Sequence, residues 1–418
     1  MRRWLQRIDS GSAMELKRRP FDQKTLHETS VIIEDIRTNG EVAVHHHSER
    51  LGDLSPGQPY VVSRDTLTRA FDDLDSEIQR LLERAANRIR TFAETQYNSL
   101  VDVDTQVIGG RAGHHWYPIK SVGAYAPGGR HPLPSTVLMT VIPAKVAGVE
   151  HITVASPKPT PVTLAAAALA GADSLITLGG AQAIAAMAFG IRCRSVDLIV
   201  GPGNRWVVAA KKYLYGEVGI DGLAGPSEIA VVADEKADPR LVAADLIAQA
   251  EHDPDALPIL ITTHAGLLDQ VDAQISSQLD GLATTPTATQ ALNNGYSVVV
   301  DNLEQAAAVT EHVAPEHLAL HIAGPESWAN RFKSYGSMFQ GGSTGETFAD
   351  YGAGPNHVLP TGGAARYQSG LSVLTFLRSP TWLHLTDPRP LIADTAKLAR
   401  IEGLEAHARA AEKRNVPS

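Results

Sequence analysis

The sequence predicts an α/β fold built on two parallel sheets, with helical regions at both ends. Three observations predict it. From about residue 120, short β-branched runs alternate with Ala-rich segments, and strand–helix alternation implies a parallel sheet with helices on both faces. The alternation comes in two series, which implies two sheets. Residues 1–100 and the stretch beyond Pro390 lack strand texture and read as helical.

In chain order, Asp22–Thr38 and Asp75–Tyr97 carry apolar residues at three- and four-residue spacing, as in Ile78, Leu81, Leu82, Ala85, Ile89 and Phe92, the mark of amphipathic helices. His45-His46-His47 follows the first of them. Consecutive histidines on a helix point in different directions, so a surface role is expected, as for His114-His115. Ser121–Tyr125, His151–Ala155, Ser174–Leu178 and Asp197–Val200 read as buried strands, separated by helices at Pro143–Gly148, Pro161–Ala170 and Ala181–Phe189. The second series has strands at Glu228–Val232, Pro258–Thr262, Ser297–Val300, Leu318–Ile322 and Ser337–Phe339, with helices at Asp238–Glu251 and Leu303–Glu311. Leu391–Asn415 is a terminal helical segment.

The bulk properties exclude several classes. A chain of 418 residues suggests two to four domains at about 150 residues each. It is 43% hydrophobic and 20% charged, an ordinary globular composition. A formal charge of −9 argues against a nucleic-acid partner. The single Cys193 rules out an internal disulfide framework and a thiolate zinc site, and fits a reducing cytoplasm. No apolar run approaches the ~18 residues of a membrane span, and no signal peptide is visible.

Candidate chemistry lies on segments far apart in sequence. Phe348-Ala-Asp-Tyr-Gly-Ala-Gly-Pro-Asn-His-Val-Leu-Pro-Thr361 sets Asp350 and His357 on a loop stiffened by Gly and Pro. Gln249 and His252 stand three apart on one helix face, with Cβ atoms ~5–6 Å apart, a spacing that suits two ligands of one ion and also occurs without one. Glu316-His317 juxtaposes a carboxylate and an imidazole, as proton transfer through a positioned water requires. Gly201-Pro-Gly-Asn204 follows a strand directly, at the carboxyl end where open α/β sheets bind ligands. Tyr125-Ala-Pro-Gly-Gly129 and Gly179-Gly-Ala-Gln182 are two more strand exits whose amides suit a pyrophosphate. A full Gly-x-Gly-x-x-Gly pattern is absent, because Trp206 stands at the third glycine.

From about residue 120 to 372 the chain resembles the histidinol dehydrogenase family, with a looser likeness beyond. The motifs that carry the likeness are Val122-Gly-Ala-Tyr-Ala-Pro-Gly-Gly129, Gly179-Gly-Ala-Gln-Ala-Ile-Ala-Ala186, Gly201-Pro-Gly-Asn204, Ala224-Gly-Pro-Ser-Glu228, Gln249-Ala-Glu-His252, Pro315-Glu-His317, Asp350 to Thr361, and Glu402-Gly-Leu-Glu-Ala-His407. The resemblance implies two incomplete Rossmann-like parallel-sheet domains with small helical N- and C-terminal domains. It divides the chain into 1–119, a helical region; 120–235, the NAD side; 236–372, with zinc and the catalytic residues; and 373–418, a helical segment that reaches a partner subunit. It further implies oxidation of an amino alcohol to the amino acid through an aldehyde, with zinc and two NAD molecules in turn. Gln249, His252, Asp350 and His407 match the zinc ligands, with His407 supplied across a homodimer. Glu316 and His317 match the acid–base pair. Ser227, His357 and Glu402 match substrate contacts, in addition to His317 and the zinc ligands. Tyr125, Gln182 and Asn204 match NAD contacts.

Gly222-Leu223, Gly342-Ser-Thr-Gly-Glu-Thr347, Thr375 and Arg378-Ser-Pro-Thr-Trp382 depart from the family pattern. They are more like paralogues that oxidise other small polar alcohols, such as sulfopropanediol dehydrogenase. A non-catalytic metabolite- or nucleotide-binding protein is the alternative of another class. The intact Glu316-His317 pair speaks against it.

Overall fold

A computed structural model describes residues 2–16, 22–128 and 132–415; Gly129, the end of the first glycine turn, lies outside them. Two six-stranded sheets form, as the two series predict. The first runs in the order Gly219–Ile220, Leu198–Val200, Ser121–Tyr125, His151–Ala155, Ser174–Ile176, Val61–Ser63. All its strands are parallel except Val61–Ser63, which pairs antiparallel with Ser174–Ile176. The second is wholly parallel, in the order Gln6–Ile8, Tyr296–Val299, Leu257–Thr262, Glu228–Ala233, His317–His321, Ser337–Gln340. The central strands Glu228–Ala233 and Leu257–Thr262 are buried at every position, which is why they read as continuous apolar runs rather than alternation.

The sequence reading needs four corrections. Glu228–Ala233 is a central strand of the second sheet, so the chain crosses between sheets after Ile220 and not at residue 235. The terminal regions are helical but not only helical. Val103–Val107 and Gly110–His114 form an antiparallel sheet with Thr381–Leu385, uniting segments from both ends of the chain. Every residue of Val103–Val107 is exposed, so the strand has no apolar alternation to betray it. The helix read as Pro143–Gly148 begins at Pro134 and runs to Ala147 with Pro143 inside it. Finally, His47 is buried, with Nε2 2.7 Å from Asp35 Oδ2, so the surface role expected of the histidine triplet fails there.

Pro143 has no N–H to give to the carbonyl four residues earlier. That carbonyl, on Met139, accepts instead from Asn356 Nδ2 at 2.6 Å. A proline that would cost a helix about 3 kcal/mol thus leaves an acceptor that ties in the loop carrying Asp350 and His357. The terminal segment comprises two helices, Arg389–Ile401 and Glu405–Glu412, broken at Gly403, where φ is +77°. They pack on each other through Ala396, Ala399 and Ala408. Among the described residues, no helix is long and apolar enough to cross a membrane.

Candidate functional site

The polar cluster forms at the amino ends of strands in the second sheet. His317 opens the strand His317–His321 beside Ile229 of the neighbouring strand, so Glu228 and Glu316 enter side by side. Glu316 Oε2 accepts from the Glu228 N–H at 2.9 Å, and Glu228 Oε1 accepts from Gly362 N–H at 3.0 Å. The helix Pro239–His252, capped by Asp238, ends over the same edge. It delivers Gln249, fully buried, and His252, which remains 39% exposed. A short helix, Glu346–Asp350, closes the cluster.

His317 has a defined tautomer. Its Nδ1 faces two acceptors, Gln249 Oε1 at 3.0 Å and the Glu228 carbonyl at 3.3 Å, so the proton resides on Nδ1 and Nε2 carries the lone pair. Among the described residues, buried Nε2 has no hydrogen-bond partner. Burial lowers the imidazole to about 4, against the opposing charge of Asp350, and keeps the ring neutral. His357 is fixed in the same tautomer: its Nδ1–H donates to the Asp350 carbonyl at 3.0 Å and its Nε2 accepts from Thr136 Oγ1 at 3.1 Å. Burial lowers its pKa too.

His252 Nε2 lies 3.7 Å from Asp350 Oδ2. His252, Asp350 and Glu346 each offer one ligand atom, all within 4.8 Å of one another. Glu346 is 1% exposed and, among the described residues, both its carboxylate oxygens lack hydrogen-bond partners, although Oε2 lies 3.6 Å from His317 Nδ1. Burial raises its pKa well above the carboxylate range, reinforced by the charges of Asp350, Asp245 and Glu316. A buried carboxylate without hydrogen bonds is costly unless a proton or cation accompanies it.

Comparison with known proteins points to one family. Residues 16–415 match the family model described as histidinol dehydrogenase. The chain is 46% identical over 388 residues to the histidinol dehydrogenase of Thermus thermophilus, covering 92% of this chain and 93% of that one. It is 46% identical over 391 residues to that of Haloarcula marismortui, with 92% of each covered. The chain belongs to the histidinol dehydrogenase family. Its fold superposes on the crystal structure of the histidinol dehydrogenase from Elizabethkingia anophelis with a TM-score of 0.92 at 33% identity, covering 99% of this chain and 98% of that one. It is an oxidoreductase of that family.

Against the family expectations, the structure brings together Gln249, His252, Glu316, His317, Asp350 and His357. Ser227 directly precedes the strand Glu228–Ala233, and its carbonyl accepts from Leu257 N–H at 2.9 Å. Glu402 lies in the exposed turn between the terminal helices and His407 on the second of them, and among the described residues neither makes a hydrogen bond or ion pair with the cluster.

The residues that match NAD contacts gather at the carboxyl ends of the first sheet. Gly180 N–H donates to the Tyr125 hydroxyl at 3.3 Å. Gln182 Nε2 and Gly179 N–H both donate to Asp53 Oδ2, at 2.7 and 2.8 Å, leaving buried Gln182 Oε1 unpartnered. Asn204 caps the helix Arg205–Leu214, its Oδ1 accepting from Trp206 and Val207 N–H.

Sequence reasoning missed Glu346, Glu228, Asp53 and Thr136. A signal existed for the first: Glu346 and Asp350 are four apart, which places them on one face of any helix. Asp53 and Thr136 had none, because what they touch is set by tertiary packing.

Proposed function

We propose that this chain catalyses the zinc-dependent, NAD-linked oxidation of L-histidinol to L-histidine through the aldehyde, a four-electron sequence in two steps. The observation that carries this reading is His317, a buried neutral imidazole with its Nδ1–H held and its Nε2 lone pair free, beside an incomplete cation site. A binding module needs no such base. The relatives' names favour histidinol over another small alcohol.

The residues fit both absent groups. His252 and Asp350 converge with the carboxylate of Glu346, which has no hydrogen bond among the described residues, and this mixed nitrogen and oxygen set suits zinc. Gln249, His252 and Asp350, with His407 of a second copy, would hold it. Tyr125, Gln182 and Asn204, with the amides around Gly179 and Gly201, would hold NAD; the free Gln182 Oε1 suits a hydroxyl donor. When bound, zinc anchors the substrate's imidazole and amine, and NAD takes up the hydride.

In the first step His317 Nε2 accepts the hydroxyl proton, while Gln249 Oε1 and the Glu228 carbonyl keep the ring oriented. A positioned base of this kind is worth about 10²–10⁴-fold, roughly 3–5 kcal/mol of barrier. In the second step Glu316, anchored on the Glu228 amide, takes a proton from the water that hydrates the aldehyde. Ser227, His357 and Glu402 contact the substrate. Glu402 and His407 reach the site from a second copy, which makes the functional unit a homodimer.

The test is to supply L-histidinol with NAD, and separately with NADP, and follow reduced cofactor. The reading expects twice as much NADH as histidinol consumed. Turnover of a sulfonated or carboxylated diol but not histidinol would assign the chain to a paralogue; ligand binding without turnover of any alcohol would make it a binding protein.

A further inference from the structure

The first sheet holds a buried charge pair that the mechanism does not use. Lys211 and Asp221 form an ion pair with side chains only 2% and 7% exposed. Burying two charges costs several kcal/mol per ion, and a buried pair is weak evidence of stability for its own sake. What it touches is more informative. Asp221 Oδ2 accepts from the Gly201 N–H at 2.7 Å, and Lys211 Nζ donates to the Gly201 carbonyl at 3.0 Å. The pair therefore holds both polar groups of one peptide residue, the first beyond the strand Leu198–Val200.

Gly201 opens the Gly201-Pro-Gly-Asn204 turn. It has φ +111°, and a Cβ there would stand 2.1 Å from the Tyr125 carbonyl oxygen, so no other residue fits. Lys211 lies seven residues beyond Asn204, two turns along the same helix face, and helical side chains lean back toward the N-terminus. Asp221 follows the edge strand Gly219–Ile220, with its N–H donating to the Ile199 carbonyl at 3.2 Å. Its own carbonyl accepts from Gln368 Nε2, and six residues on the chain reaches Ser227.

We propose that Lys211 and Asp221 are positioning residues that fix the Gly201–Asn204 turn in its cofactor-binding shape and tie it to the segment leading to Ser227. This rests on the reading of that turn as an NAD contact. The pair touches no reacting atom; it acts by denying the turn alternative peptide orientations.

The experiment compares Lys211→Met, the isosteric Asp221→Asn and Asn204→Ala, measuring KM for NAD, kcat, bound metal and thermal midpoint. Lys211→Met and Asp221→Asn are expected to raise KM for NAD about tenfold, ~1.4 kcal/mol, with kcat and metal content little changed. A lowered thermal midpoint with KM for NAD unchanged in both would reduce the pair to a structural role and overturn the proposal. If Lys211→Met fails to fold, Asp221→Asn, which keeps an acceptor for Gly201, decides alone. Asn204→Ala separates the underlying reading: if it raises KM and the clamp variants do not, the clamp is wrong; if none of the three does, the turn does not bind NAD and both fail.

Discussion

The two sheets of this chain build the edges proposed to face ligands from opposite materials. The first presents carboxyl ends of strands, where glycine turns offer backbone amides and a few side chains shape them: Asp53 at Gly179, Asp221 and Lys211 at Gly201. The second presents amino ends, where Glu316, His317, Gln249, His252 and Asp350 converge as side chains. The difference teaches which mutations each edge feels. On the proposed reading, truncating a side chain removes a reacting or ligating atom from the second edge, whereas on the first much of what would face the ligand is backbone that stays.

The sharpest way to break that contrast is His317→Ala. Loss of the buried, unbonded Nε2 lone pair of His317 should lower alcohol oxidation by about 10³–10⁴-fold, measured as NADH formation; retention of a tenth of the rate would remove His317 from its role. Next comes the metal. Exhaustive chelation should abolish activity and added zinc should restore it, and His252→Ala should lose most of the zinc found by elemental analysis. Full activity of metal-free protein would end the zinc reading. Glu316→Gln should slow the aldehyde step by about 10²-fold and the alcohol step far less, which supplying the aldehyde directly will separate. Equal losses would contradict the division of labour.

A smaller, more discriminating effect is complementation. His317→Ala and His407→Ala, each inactive alone, are co-expressed. In a mixed dimer one site carries both defects and the other none, so random pairing should return roughly a quarter of wild-type activity. If His407 served its own chain, no activity would return. The smallest effect is expected from Asn356→Ala, which strands the Met139 carbonyl at about 1–3 kcal/mol, read as a lower denaturation midpoint with the metal retained.

The same contrast explains what was legible. Buried strands of the second sheet, such as Leu257–Thr262, stand out because every residue is apolar or small, and both glycine turns stand out because little else tolerates their conformation. Gln249, His252 and Asp350 were visible through chemistry and spacing. The exposed strand Val103–Val107 was not, having no buried face to write a pattern. Glu346 was marked only by its four-residue spacing from Asp350; that its buried carboxylate has no hydrogen bond among the described residues leaves no trace in composition. Lys211 stands beside Lys212 in sequence, and only its burial distinguishes it.

Pro143 carries a consequence for inheritance. The carbonyl it frees and the amide that fills it, on Met139 and Asn356, are 217 positions apart, yet the sequence position that makes the vacancy is neither of them. Replacing Pro143 by alanine would restore a bond within the helix and set a second donor on the Met139 oxygen, whose two lone pairs it would share with Asn356. A change that helix propensity favours would thereby loosen the loop behind Asp350 and His357. Positions 143 and 356 are therefore expected to be epistatic, a coupling that the double variant Pro143→Ala with Asn356→Ala would measure as non-additive change in the denaturation midpoint.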